Sequence, residues 1–217
     1  MKRGFLLIFL LTSILVFSQK KASKKFETTV SEIEISTEGL DDFVLENSES
    51  EFLEIFLYAE NPNKQHIVFD EENNIATIKF NIPEFKTDEK VFRKFITKRL
   101  NRASAVVKIP KHIIVTIFGD DINIASKSCQ NNLSVFIEKG NVKLNTVKEN
   151  TDVKLYSGNV FATSNNTAID VISTIGSIHV NGALVAKSYQ KNEEKATKKL
   201  TINTIKANIF LTTQKTQ

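Results

Sequence analysis

Residues able to do acid–base work come together once in this chain, at Asp120 and Asp121, with Lys108, Lys111 and His112 upstream. Clustered carboxylates beside basic groups are what polysaccharide lyases and hydrolases require. Neighbouring residues in a strand or turn point in different directions, however, so two adjacent Asp need not converge. The three histidines, His66, His112 and His179, lie far apart and lack the close His/Cys/Asp spacing of a zinc site. Asp41, Asp42 and the acids from Glu46 to Glu54 follow no calcium-loop ligand order. The sequence contains no nucleophile elbow, phosphate-binding glycine loop or dinucleotide fingerprint. Its single cysteine, Cys129, reads as a small buried apolar residue. No catalytic residue, metal ligand or cofactor is assigned, and the expectation is a non-enzymatic protein. A carbohydrate-active enzyme and a periplasmic structural or assembly protein are the alternatives.

The elements that would position these residues are mostly strands. Apolar residues alternate at Ile33 and Ile35, at Phe43 and Leu45, and along Phe52–Tyr58, Ile67–Phe69 and Ile75–Phe80. Asn61-Pro62-Asn63 and Glu71 to Asn74 read as turns. One helix is predicted over Thr87–Arg102. Thr87 can cap it, Asp88 and Glu89 suit its positive start, and Val91, Phe92, Phe95, Ile96 and Leu100 form an apolar stripe.

From Val106 a short unit recurs. Its leading residues are Asp121, Asn141, Asn159, Ser177 and Asn208, separated by 20, 18, 18 and 31 positions. Gly140, Gly158 and Gly176 directly precede three of them, and Val135, Val153 and Val171 stand five residues before those glycines. A unit of about 18 residues with alternating apolar positions cannot bury its own inner face, whereas stacked units can. The expectation is a β-solenoid in which the glycines turn corners and the Asp/Asn/Ser positions form a polar ladder. The long last interval is read as a charged surface insertion over Ala183–Lys199. Its Lys187, Tyr189, Lys191, Lys195, Lys198 and Lys199 form a candidate partner-binding loop.

Two further features concern location and charge. Lys2 and Arg3 precede a 13-residue apolar run, Phe5–Phe17, followed by Ser18. That is the pattern of a signal peptide over residues 1–18, too short to span a bilayer, and it predicts export to the periplasm or cell surface. No later stretch could cross a bilayer. Residues 19–25 read as a flexible basic start and 26–217 as one domain, divided into acidic strands (26–82), the helical insertion and the repeat coils (106–211). The 29 basic and 25 acidic residues are unevenly placed. Phe26 to Glu89 holds 17 acids against three lysines, and Lys90 to Gln217 holds 20 basic residues against eight acids. Such a division can serve partners or keep strand edges apart, and export excludes nucleic acid.

The stretch Val106–Ile124 (VVKIPKHIIVTIFGDDINI), followed by GNVKL, GNVFA and GSIHV, resembles the putative auto-transporter adhesin family of bacteria. That family's domain is described as a GIN-type head or putative adhesin β-solenoid domain. The Phe/Leu/Ile-rich start and Ser-Gln junction resemble exported proteins of the Bacteroidetes. The resemblance implies an all-β, single-stranded, right-handed parallel β-helix without catalysis, with the helix near 87–102 as an insertion. It implies an adhesin-like envelope protein binding a glycan or a protein, and unpaired terminal coils add self-association. The chain ends in TTQKTQ, without a recognisable anchor or sorting domain, which departs from a large surface adhesin.

Overall fold

A computed structural model describes residues 20–82, 103–194 and 196–214. The predicted signal peptide, the predicted helix over Thr87–Arg102 and Lys195 lie outside the described residues. The rest is strand and turn, with a single 3-10 turn at Lys64–His66.

Seventeen strands hydrogen-bond into one mixed sheet that bends into a flattened, nearly closed barrel. Two strands make the bend. β10 (Leu133–Leu144) and β11 (Thr151–Asn165) are long, and each turns midway at a glycine. Their first halves belong to one wall and their second halves to the other.

The first wall is built around β2 (Glu32–Ser36), β6 (Ile75–Phe80) and β8 (Ile114–Asp121). It continues through β10 and β11 to β16 (Lys198–Thr204) and β12 (Thr167–Ser173). The second wall holds β4 (Phe52–Tyr58), β7 (Ser104–Ile109), β3 (Asp42–Asn47) and β9 (Asn123–Ser126). It passes through the same two long strands to β17 (Asn208–Gln214) and β13 (Ile178–Val180). Alternation places Ile33, Ile35, Ile117, Val135, Val153 and Ile202 inward from the first wall. Phe43, Leu45, Ile55, Val107, Val142 and Ile209 point inward from the second, and all belong to one apolar core.

The single-stranded, right-handed parallel β-helix is not the fold. β1 (Lys21–Glu27) with β4, β4 with β7, and β5 (Ile67–Glu72) with β6 are antiparallel pairs. So are β13 with β14 (Ala183–Val185) and β12 with β15 (Ser188–Lys191). Spatial order also departs from chain order. The β2–β3 unit lies between β6–β7 and β8–β9, and β16–β17 lies between β11 and β12–β13. Period-2 alternation is the same for parallel and antiparallel strands, and an 18-residue spacing does not reveal which unit stacks on which. Within β8, β10 and β11 the spacing is a pairing register, since Ile117, Val135 and Val153 align, as do Gly140 and Gly158.

Both ends of the stack finish in antiparallel strands. At one, the Lys24 ammonium donates to the Ile67 carbonyl at 2.6 Å and Phe26 stacks on Phe69 at 4.0 Å. At the other, Asn181 and Gly182 (φ 52° and 83°) turn β13 back into β14, as a tight hairpin requires. There the strands are only three and four residues long, and the Lys187 ammonium donates to the carbonyls of Ile175 and Gly176. Short, lysine-bearing edges oppose pairing with another chain.

The bend itself needs glycine. Gly158 has φ 131°, and a Cβ there would lie 1.8 Å from the Gly140 carbonyl oxygen. Gly182 also has positive φ, but a Cβ there would meet nothing. Gly158→Ala should therefore cost about 3 kcal/mol, and Gly182→Ala about 1 kcal/mol. Urea unfolding of the two variants checks this, and equal losses would contradict the close approach at the bend.

Candidate functional site

The only sequence cluster with acid–base potential is pulled apart by the fold. His112 sits in the turn before β8 and Asp120 near its far end, roughly 25 Å away along an extended strand. Asp121 forms an exposed ion pair with Lys139 at 3.1 Å, and Lys108 joins Glu46 on the other wall at 3.8 Å. His66 accepts the Asn63 backbone N–H through Nδ1 at 3.3 Å. His179 stacks on Phe210 at 5.1 Å. Among the described residues no group of three or more His, Cys, Asp or Glu could hold a metal ion.

The polar ladder is a chain of side-chain hydrogen bonds on the outside of the second wall. The Asn123 amide donates to the Asp42 carboxylate (3.1 Å), Asn141 to Asn123 (2.8 Å) and Asn159 to Asn141 (2.9 Å). Asn208 donates to Asn159 (3.2 Å), and the Ser177 hydroxyl donates to Asn208 (2.9 Å). Asp121 is not a rung, because Asn123 occupies that position, 18 residues before Asn141. Asn208 lies between Asn159 and Ser177, so the interval of 31 reflects an intercalated unit. All donors point the same way and the chain ends on an anion, an arrangement in which each bond polarises the next. Gly140 and Gly158 stand at the bend; a Cβ on Gly176 would lie 2.0 Å from the Ala207 carbonyl oxygen.

Two more ladders run beside it. Lys25, Glu54, Lys108 and Glu46 alternate in sign across four neighbouring strands and Lys127, just after β9, continues the row, with contacts of 2.9 Å at Lys25–Glu54 and 2.5 Å at Lys127–Glu46. Phe161, Phe210 and His179 form a column at 5.0 and 5.1 Å. Phe210 is covered on both faces, and Phe161 at the end of the column is 40% exposed.

The Ala183–Lys199 stretch is not a single projecting loop. It contributes β14, β15 and the start of β16. Lys187 caps the bend carbonyls, Tyr189 is half-buried against the core, and Lys191 pairs with Glu193 at 2.8 Å. Lys199 faces Asp170 at 3.5 Å. Burial, then Lys148, depresses the Lys198 pKa.

The feature missed in sequence is on the first wall, beside the bend. An open trough of about 560 Å³ runs across β8, β10, β11, β16 and β12. Register sets Phe118, Phe136, Lys154, Asn203 and Ile172 along one side. Glu138, Tyr156, Ile205 and Thr174 lie along the other, with Ile137, Leu155 and Thr204 between. Tyr156, Ile172 and Ile205 are 48%, 43% and 45% exposed, and Ile175 at the rim is 60% exposed. Phe118 and Phe136 stack at 5.6 Å, Lys154 lies over Phe136 at 5.1 Å, and Lys206 lies over Tyr156 at 5.3 Å. Large apolar side chains concentrated on one side of a monomer mark a contact surface. The signal was available: Phe118, Phe136 and Ile172 each break the alternation by adding an apolar residue at an outward position.

No family model and no curated protein matches the chain. Solved structures do. A "putative cell adhesion protein" from Clostridium sporogenes superposes with a TM-score of 0.64 at 12% identity, over 91% of this chain and 100% of that one. A "putative adhesin" from Bacteroides fragilis gives 0.40 at 13% identity over 89% and 98%, and one from Parabacteroides merdae 0.36 at 16% over 91% and 92%. The first likeness is one of fold: this all-β architecture is shared with a protein named for cell adhesion. Among the described residues no helix is long and apolar enough to cross a membrane.

Cys129 is buried and its thiol donates to the Leu45 carbonyl at 3.3 Å. Burial raises its pKa above the usual thiol value, which suppresses the reactive thiolate. The native protein should resist iodoacetamide at pH 8 and be modified stoichiometrically in urea. Alkylation at equal rates in both conditions would contradict a closed core at this position.

Proposed function

We propose that this chain is a non-catalytic, exported envelope protein that binds a partner adhesin-fashion through the first-wall trough. The observation that carries the reading is the group of exposed Tyr156, Ile172 and Ile205 lining the trough, with exposed Phe118 beside it, on a sheet whose backbone is otherwise committed to pairing. An apolar surface on a rigid support binds without first being ordered, which lowers the entropic cost of association. The dispersal of His112, Asp120 and Lys108 gives no support to acid–base catalysis. Export rests on the charged start and apolar run of residues 2–18. The adhesin-like character draws on the name of the Clostridium protein with the same fold.

A photo-crosslinking residue placed in turn at Tyr156, Ile172 or Ile205 tests the reading in the producing cells. Discrete adducts of one common partner are expected from these positions. The same residue at Glu72 or Lys79, exposed on β5 and β6 of the same wall, should give none. Adducts independent of position, or absent from all of them, would remove the trough from the function.

A further inference from the structure

We infer that strands β14 and β15 form a displaceable cover, and that the β12 edge beneath them is an assembly surface for a second copy of this chain. The inference does not rest on the trough. Its first ground is how little holds the cover. Among the described residues, β14 and β15 are the two strands with no buried side chain. Val185 and Tyr189 are half-buried against the core, and Leu184 is 68% exposed. The segment is fixed by backbone pairing with Ile178–Val180 and Ile169–Ile172. The Ser173 N–H donates to the Lys187 carbonyl at 2.9 Å, and the Lys187 ammonium donates to the carbonyls of Ile175 and Gly176. A strand pair with few buried apolar contacts opens at low free energy.

The second ground is what the cover hides. β12 and β13 are the last strands of their walls to pair in parallel, and β14 with β15 returns antiparallel to both. Without that return, β12 would end the first wall on unpaired backbone beside buried Ile169 and Val171. Thr167, Ile169, Val171 and Ile172 are β-branched. Asp170, the one charged residue of β12, already faces Lys199 at 3.5 Å. A near-neutral edge rich in β-branched residues is a template for another strand.

The third ground is symmetry, which points to the occupant. Two copies of one edge related by a two-fold axis across the sheet pair antiparallel, and their core faces stay continuous. Antiparallel is also the sense that β15 already takes on β12. Centred on Val171, the pair sets Ile169 opposite Ser173 on the core side and Asp170 opposite Ile172 on the outer side. No like charges then meet. The contact closes at two copies, and each copy's own cover competes with it.

Analytical ultracentrifugation and hydrogen exchange of the mature chain test this together. The chain should be a monomer that dimerises with concentration, and amides of β14 and β15 should exchange about 100-fold faster than those of β16. Lys187→Glu replaces an ammonium held by two carbonyls with a group they repel. It should lower the concentration of half-dimerisation about tenfold. Asp170→Cys with Gln190→Cys can join cover to edge, because the two residues are directly opposite and their side chains touch at 3.2 Å. Oxidised, this variant should stay monomeric, alone or combined with Lys187→Glu, and reduction should restore the dimer. That reversal separates a released edge from misfolding. A Lys187→Glu chain no more dimeric than the unaltered one, dimers of the oxidised variant, or equal exchange in β14, β15 and β16 would each overturn the inference.

Discussion

In-register parallel pairing between β10 and β11 is the interaction on which the rest of the structure depends. Once Gly140 lies on Gly158 and Asn141 on Asn159, every outward position of one strand stands directly over its equivalent in the next. Like residues then meet at the inter-strand spacing of about 4.8 Å. At that distance amides hydrogen-bond in series, aromatic rings stack, and like charges would repel. The Asn ladder follows from this register and from its continuation to β17, while the Phe column and the alternating Lys and Glu follow from the pairings of β11, β17 and β13 and of β1, β4, β7 and β3. The β10–β11 register also explains why the bend tolerates only glycine: it presses one backbone against the next at the turn.

A stack made this way has two exposed ends and must stop growing. Here both ends switch to antiparallel strands, and lysine side chains bond to backbone carbonyls near them. The uneven distribution of charge takes its meaning from the same construction. The acidic β3 enters between β7, which bears Lys108, and β9, which Lys127 follows, and β4 with Glu54 lies between β1 and β7. What looks like polarity along the sequence becomes alternation across the wall. Each pair in that ladder is partly exposed and worth little alone. Because the pairs form a row, a slip by one strand would set like charges together, so they act mainly on register and order.

Much of this was legible and some was not. The strands were visible in alternation at Ile33, Ile35, Phe43 and Leu45, and the bend was visible in Gly140 and Gly158. The order of units was hidden, because nothing local distinguishes Asn208 inserted between Asn159 and Ser177 from Asn208 stacked beyond Ser177. Counting from Asp121 rather than Asn123 came from taking the first polar residue of the unit instead of holding the spacing at 18. The closing hairpin was readable from Asn181-Gly182, yet the charge of the following stretch drew it toward a loop. The trough was obscured because Phe118 and Phe136 look like core residues in one dimension, and only the wall's orientation turns them outward.

That outward placement conflicts with the logic of the rest of the chain. Elsewhere on the walls most outward residues are polar or lie in ladders, with Ile114 and Leu184 as isolated exposed apolar residues. Beside the bend, Tyr156, Ile172, Ile175 and Ile205 remain in water. A sequence able to place Asn, Thr or Lys at equivalent positions one strand away has no folding requirement for isoleucine there. The scaffold's stability does not need these side chains exposed; a binding surface does. The trough also lies across the strands rather than along one, so its walls come from five separately paired segments and cannot splay independently. Rigid support from β8, β10, β11, β16 and β12 lets an open apolar surface persist without collapsing on itself.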